Sequence, residues 1–351
     1  VQPVEGGGRG LLGGDALSPL FLGLSGQVLT DAERAFFREA APAGYILFKR
    51  NVATPDQVRR LTDALRDVAG RDDVPILIDQ EGGRVARLGS PHWPAFPAGA
   101  AFAALYDIAP VSAIEAARHN ARALALMLRD LGINVDCLPV LDVPQPGAHD
   151  IIGDRALGSD PMQVAALGSA VLRGLSEGGA VGVIKHIPGH GRAGADSHLE
   201  LPVVTASAEE LAVDLEPFIR LRDAPMAMTA HVVFTAFDPE RCASLSPLVI
   251  GDVIRQHIGF DGLLMSDDLG MKALAGSFAE RTRGVLDAGC DVVLHCSGDM
   301  AEMQQVAGAA PSRLSDAAAS RLDRAMVPAR RAPDGVFAEA VAARDGLLAL
   351  A

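Results

Sequence analysis

Between Val183 and Pro202 the chain reads VIKHIPGHGRAGADSHLELP, and the stretch from Lys185 to His198 holds one lysine, three histidines and one aspartate. An apolar run ending in titratable groups on a glycine-rich segment is the pattern of a strand that feeds a mobile loop. Imidazoles move protons near neutral pH, and an ammonium hydrogen-bonds oxygen-rich ligands. In the triplet Asp196-Ser197-His198 an extended backbone turns the first and third side chains to one side. The Asp196 carboxylate then fixes the tautomer of His198 and raises its basicity. A metal reading is also open, because His186 and His190 lie four apart and Asp196 and His198 add two donors. Ile187-Pro188-Gly189 opposes the helix which that spacing needs, so no metal is expected.

Two further segments carry carboxylates. In Gly262-Leu-Leu-Met-Ser-Asp-Asp-Leu-Gly-Met271, strand alternation puts Leu263, Met265 and Asp267 on one face and Leu264, Ser266 and Asp268 on the other. Asp267 is the candidate nucleophile, and Asp268 is expected to cap the following helix. In Asp79-Gln-Glu-Gly-Gly-Arg84-Val-Ala-Arg87, Leu77 and Asp79 share a face. A carboxylate there suits paired hydrogen bonds to vicinal sugar hydroxyls, and Gly82-Gly83 permits a tight turn. Arg84 and Arg87 read equally as pocket residues or as surface ion pairs.

The elements that must position these groups alternate. Apolar runs lie at Leu20–Leu24, Tyr45–Phe48, Pro75–Ile78, Asn134–Leu138, Val181–Ile184, Met226–Thr229, Gly262–Met265 and Asp291–Leu294. Helical patterns intervene at Pro55–Val68, Ala109–Leu131, Pro161–Glu177, Ala208–Arg222 and Pro247–His257. Strands too apolar to face water, alternating with helices, predict an α/β fold with a covered parallel sheet. Eight units predict a single (β/α)8 TIM-type barrel with a C-terminal helical extension, ahead of an open doubly wound sheet. The predicted organisation is a flexible leader over 1–17 and one domain over 18–351, with helices of about 309–351 packed on it. Strand ends would then gather Asp79, Asp142, Lys185, His186, His231, Asp267 and Asp268 at one mouth.

Composition narrows the partners. The chain has 351 residues, 49% of them hydrophobic, and a formal charge of −13. That charge disfavours nucleic acid and anionic membrane. No apolar stretch approaches the roughly 20 residues of a membrane span. The four cysteines (Cys137, Cys242, Cys290, Cys296) lack metal-like spacing. Buried reduced thiols, a cytoplasmic location and a monomer are the expectations.

Four motifs, in order, resemble the family 3 glycoside hydrolases: Asp79-Gln-Glu-Gly-Gly-Arg-Val85, Lys185-His-Ile-Pro-Gly-His-Gly191, Asp196-Ser-His198 and Ser266-Asp-Asp-Leu-Gly-Met271. The likeness runs from about Leu20 to Cys296, with Ile46-Leu-Phe-Lys-Arg-Asn51, Pro139-Val-Leu-Asp-Val143 and Ala288-Gly-Cys-Asp291 in matching order. It is closest to the single-domain bacterial β-N-acetylglucosaminidases of peptidoglycan recycling. The resemblance implies Asp267 as nucleophile and His198 as general acid/base with Asp196 as its partner. It implies sugar contacts from Asp79, Arg87, Arg155, Lys185 and His186, with His231 near the pocket, and no cofactor. The expected reaction is retaining hydrolysis of terminal β-linked N-acetylglucosamine from a small carbohydrate such as a peptidoglycan fragment. The rivals are a β-glucosidase of the same family, a metal-dependent barrel hydrolase and a non-enzymatic sugar-binding barrel. Larger family 3 glucosidases place an acid/base glutamate in a further domain, so the Asp-Ser-His triplet favours the aminosugar branch. The chain departs from the pattern at Ala156-Leu157, at Ile187 and at Arg192-Ala193, where relatives often have Asp-Thr.

Overall fold

The computed structural model describes residues 17–197 and 199–351. The expected leader therefore lies outside the described residues, Leu17 apart, and so does His198. Eight parallel strands close into a barrel: β1 (Ser18–Leu22), β2 (Pro42–Leu47), β3 (Ile76–Ile78), β4 (Val135–Asp136), β5 (Val181–Ile187), β6 (Met226–Thr229), β7 (Leu263–Asp268) and β8 (Val292–His295). Each strand pairs with its neighbour in sequence, and β1 meets β8 through Leu20↔Val293 and Leu22↔His295. Closure rules out the open doubly wound sheet.

Alternation sets which residues fill the barrel. Leu77, Val135, Val181, Val183, Met226, Leu263 and Met265 form one buried cluster inside it. Ile76, Ile78, Ile184 and Leu264 belong to the outer cluster, between the strands and the helices. The inner face of β7 therefore runs Leu263, Met265, Asp267, and that of β3 runs Leu77 and then Asp79 beyond the strand. The interior is apolar where it is sealed and becomes charged only at the C-terminal ends of the strands.

The helices are α1 (Asp31–Ala40), α2 (Pro55–Ala69), α3 (Gly99–Ile108), α4 (Pro110–Asp130), α5 (Pro161–Glu177), α6 (Ala208–Arg220), α7 (Phe278–Ala288), α8 (Met300–Ala309), α9 (Asp316–Ala325) and α10 (Phe337–Leu348), with a π-helix at Val249–Ile258. Four of them, α1, α3, α7 and α8, lie outside the stretches read from the sequence, and for two the physical reason is plain. α1 buries only Glu33 and Phe37, too short a stripe to show a period. α3 is alanine-rich on all sides and has no polar face to contrast. The expectation that Asp268 caps a helix is corrected. The next helix, α7, starts ten residues later on its own Ser277 capping box. Asp268 Oδ1 instead accepts the backbone N–H of Gly270 (3.0 Å) and of Cys296 (2.9 Å), tying β7 to β8.

The C-terminal extension closes the opposite end of the barrel. Leu314, Leu322 and Met326 join the interior cluster, and the Leu314 N–H donates to the Leu17 carbonyl. Replacing Leu322 with Ala should lower the unfolding free energy by on the order of 2 to 4 kcal/mol. Urea titration measures this, and specific activity per folded molecule should hold. An unchanged midpoint would mean that α9 is not part of the core.

Candidate active site

Leaving β3, the chain passes through Asp79 into a hairpin of Gln80–Gly82 with Val85–Ala86. Gly82 (φ 99) and Gly83 (φ 55) make its turn, and a Cβ on Gly82 would sit 2.2 Å from the Pro97 carbonyl oxygen. The hairpin turns Asp79 and Glu81 toward Lys185 on β5. The Lys185 ammonium donates to Asp79 Oδ1 (2.9 Å) and pairs with Glu81 Oε1 (2.7 Å), with only 2% of the side chain exposed. Arg87 NH2 donates to Asp79 Oδ2 (3.1 Å) while its guanidinium lies over the Phe48 ring. Arg155 grips Glu81 with two parallel bonds, Nε to Oε2 and NH2 to Oε1, both 2.9 Å. Burial alone would protonate these carboxyls, but Lys185 and its arginine neighbours hold Asp79 and Glu81 well below the usual carboxylate range. Burial would likewise strip Lys185 of its proton; the two carboxylates outweigh it and push the ammonium pKa up.

A second cluster centres on Asp142, buried just past the β4 end of the barrel. His186 Nδ1–H donates to Asp142 Oδ2 (2.7 Å), and the backbone N–H groups of His186 (3.2 Å) and His190 (2.6 Å) donate to Oδ1. Burial opposes the charge, yet these partners bring the Asp142 carboxyl down to about 2. His186 is thereby fixed with Nε2 as its remaining polar atom. His190 is buried edge-on to His186, with Nε2 3.1 Å from Ser197 Oγ and Nδ1 without a hydrogen-bond partner. Burial lowers its pKa to about 4, so the ring is neutral at pH 7.

Asp267 stands on the inner face at the end of β7. Its Oδ1 accepts the Asp268 N–H (2.8 Å), and its charge acts on His190 and His231. The segment after β5 meets the segment after β7, because the Ala273 N–H donates to the Ser197 carbonyl (3.3 Å). Asp196, whose carbonyl accepts from Leu199 and Glu200, is therefore on the Asp267 side of the mouth. The expected mobile loop follows the strand end of Lys185 and His186, but residues 185–191 are all buried and the first exposed position is Gly194.

His231 occupies a different place from the other expected site residues. It has no exposed surface; Nε2 donates to the Asp268 carbonyl (3.1 Å), which leaves Nδ1 to accept from the Ser244 hydroxyl (2.7 Å). It sits behind the wall and supports the residues around Asp267. Arg84 lies outside the pocket, paired with Asp154 and donating to the carbonyls of residues 150–152. Glu81 and Ser244 were missed in the sequence, and Asp142 was named there only as a strand-end residue without a role. Alternation continued past Leu77 and Asp79 would have pointed to Glu81. Nothing in the sequence pointed to Ser244. Among the described residues no group of three or more His, Cys, Asp and Glu is arranged to hold a metal ion. A depression of about 530 Å³ opens at the opposite end of the barrel beside Arg222, Arg321, Arg324 and Arg331, and it contains none of the expected site residues.

The model of the glycosyl hydrolase family 3 N terminal domain matches residues 24–326. A beta-hexosaminidase of Alkalilimnicola ehrlichii is 40% identical over 286 residues, 80% of this chain and 81% of that protein. One from Thiobacillus denitrificans is 38% identical over 288 residues, 80% of this chain and 79% of that protein. NagZ from Neisseria gonorrhoeae in complex with N-trifluoroacetyl-D-glucosamine superposes with a TM-score of 0.85 at 30% identity, covering 96% of this chain and 98% of that one.

The neutral state of His190 has a consequence for stability. An unfolded chain protonates this ring near pH 6.5, the folded chain only near pH 4. The unfolded state binds more protons between those values, so stability falls as the pH drops from about 6.5 to about 4. Replacing His190 with Gln should remove up to about 3 kcal/mol of that fall. Urea unfolding at pH 7 and at pH 4.5 reads the difference; an identical fall in both proteins would show that His190 is not held neutral.

Proposed function

The chain belongs to glycosyl hydrolase family 3 and is a glycoside hydrolase of the β-N-acetylhexosaminidase type, and on that premise we propose the reaction and the residues that carry it. The enzyme is a retaining exo-glycosidase that removes terminal β-linked N-acetylglucosamine from peptidoglycan fragments. Asp267 attacks the anomeric carbon and forms a covalent glycosyl-enzyme, while His198 gives its proton to the departing oxygen. In the second step His198 takes a proton from water, and the water oxygen displaces Asp267 with the β configuration restored. A histidine with an intrinsic pKa near 6.5 serves both steps around neutral pH, and Asp196 sets its tautomer. The observation that supports this reading is the hydrogen bond from the Ala273 N–H to the Ser197 carbonyl, which ties the segment carrying Asp196 and Ser197 to the segment that follows the strand bearing Asp267.

Asp79 is the main hydroxyl acceptor of the sugar site. Each of its oxygens receives one charge-assisted bond, from Lys185 or Arg87, and keeps a lone pair for one of two vicinal hydroxyls. Lys185, Arg87 and Arg155 supply donors around it, and His186 Nε2 is a further polar contact. His231 acts from behind, by holding the Asp268 carbonyl. Among the described residues no helix is long and apolar enough to cross a membrane. We place the enzyme in the cytoplasm as a monomer, where its four free, buried cysteines would stay reduced.

Replacing Asp267 with Ala should lower kcat on an aryl β-N-acetylglucosaminide by on the order of a thousandfold or more, as expected when a covalent step is lost. Near-normal turnover would remove Asp267 from the mechanism. At equal concentration, the wild-type protein should cleave the N-acetylglucosaminide in strong preference to the glucoside, with EDTA without effect. Preference for the glucoside would identify a β-glucosidase, and loss with EDTA a metal-dependent hydrolase.

A further inference from the structure

We propose that Arg192 is a positioning residue that pins the segment leading into Asp196-Ser197-His198 to α6, so that the chain before Gly194 stays fixed. The proposal rests on the reading of that triplet as the acid/base pair. Arg192 stands where the chain departs from the family pattern, and its guanidinium makes two bonds to one helix. Nε donates to Asp214 Oδ2 at 2.6 Å and NH2 to the Glu210 carbonyl at 2.8 Å. The two acceptors are one helical turn apart, a spacing that a planar fork spans and a single ammonium does not.

The segment before Arg192 has no room to move. A Cβ on Gly191 would lie 2.1 Å from the Val143 carbonyl oxygen, and the Gly191 carbonyl accepts the Gln145 N–H at 3.0 Å. Gly189, at φ +137, packs against Asp214 itself. On the far side of Arg192, the Ala193 carbonyl accepts the His149 N–H at 2.8 Å. The next residue differs: Gly194 is exposed, and a Cβ there would meet nothing within 4 Å. Packing resumes at Ser197, buried against His190 and Ala273. The chain is therefore held on both sides of a two-residue gap, Gly194-Ala195, and Arg192 is the charged fastening on the fixed side.

Asp214 depends on this fastening. It is 2% exposed, its Oδ1 is buried without a partner, and Arg192 is the cation bound to its Oδ2. Removing Arg192 alone would both loosen the loop base and strand a buried carboxyl; removing both partners separates those effects.

The test is steady-state kinetics of Arg192→Ala, Arg192→Lys and Arg192→Ala/Asp214→Asn on aryl β-N-acetylglucosaminides, from dinitrophenyl to methoxyphenyl leaving groups. A misplaced acid matters most when the leaving group needs protonation. Arg192→Ala should lose ten- to a hundredfold in kcat/KM on the poorest leaving group, the order expected for a displacement near 1 Å. It should lose less than about threefold on the best. Arg192→Lys should fall between. The double variant should recover the melting temperature and keep the leaving-group dependence, which carries the test if the single variant folds poorly. Equal losses on every leaving group, or full kinetic recovery in the double variant, would overturn the proposal. His198→Gly run alongside tells the two readings apart. If it too loses equally on all leaving groups, the acid/base reading has failed. If it alone shows the dependence, only the role of Arg192 has failed.

Discussion

Lys185 keeps an ammonium ion at the mouth of a closed barrel with almost no contact with water, and the rest of the site is arranged around that charge. A buried cation without compensation would cost several kcal/mol and lose its proton instead. Here Asp79 and Glu81 both reach it, and each is held in turn by an arginine, Arg87 or Arg155. The five groups come from β5, the hairpin after β3 and the loop around residue 155. Their mutual satisfaction therefore fixes how three strand-end segments stand relative to one another. Truncating any one leaves its partners buried and charged, so the cluster is rigid because its members cannot separate cheaply.

Histidine rings surround this charged centre. Asp142 takes three donors and orients His186, while His190 and His231 are buried deeply enough to stay uncharged. Polar atoms that are out of reach of the mouth are, for the most part, already engaged. Those with capacity to spare face it: the Asp79 lone pairs and His186 Nε2. That division suits a ligand rich in hydroxyl groups. It also suits a mechanism in which a charged strand end and a proton-carrying loop must meet over one bond.

Much of this was legible in the sequence because a barrel strand has a strict period of two. Leu263 and Met265 fill the interior, so the side on which Asp267 emerges follows from alternation alone. The same rule, continued past Leu77 and Asp79, would have reached Glu81, although the hairpin that delivers it could not be anticipated. What alternation cannot give is depth. His231 and Lys185 both follow apolar runs, yet one has both ring nitrogens engaged behind the wall and the other lies at the centre of the ion cluster. The loop after β5 shows the same limit. Its glycines read as freedom of movement, but Gly191 is there because the Val143 carbonyl leaves no room for a side chain. Asp268 misled for a related reason, since an acidic residue after a strand caps a helix only when a helix follows at once.

The central claim is that Asp267 becomes covalently bonded to the sugar, and the direct measurement is to trap that bond. A fluorinated N-acetylglucosaminyl fluoride, which slows the second step more than the first, should inactivate the enzyme with time. Mass spectrometry of the digested protein should then find one added sugar on the peptide that contains Asp267. A label on another residue, or turnover of the reagent without any labelled peptide, would contradict the account.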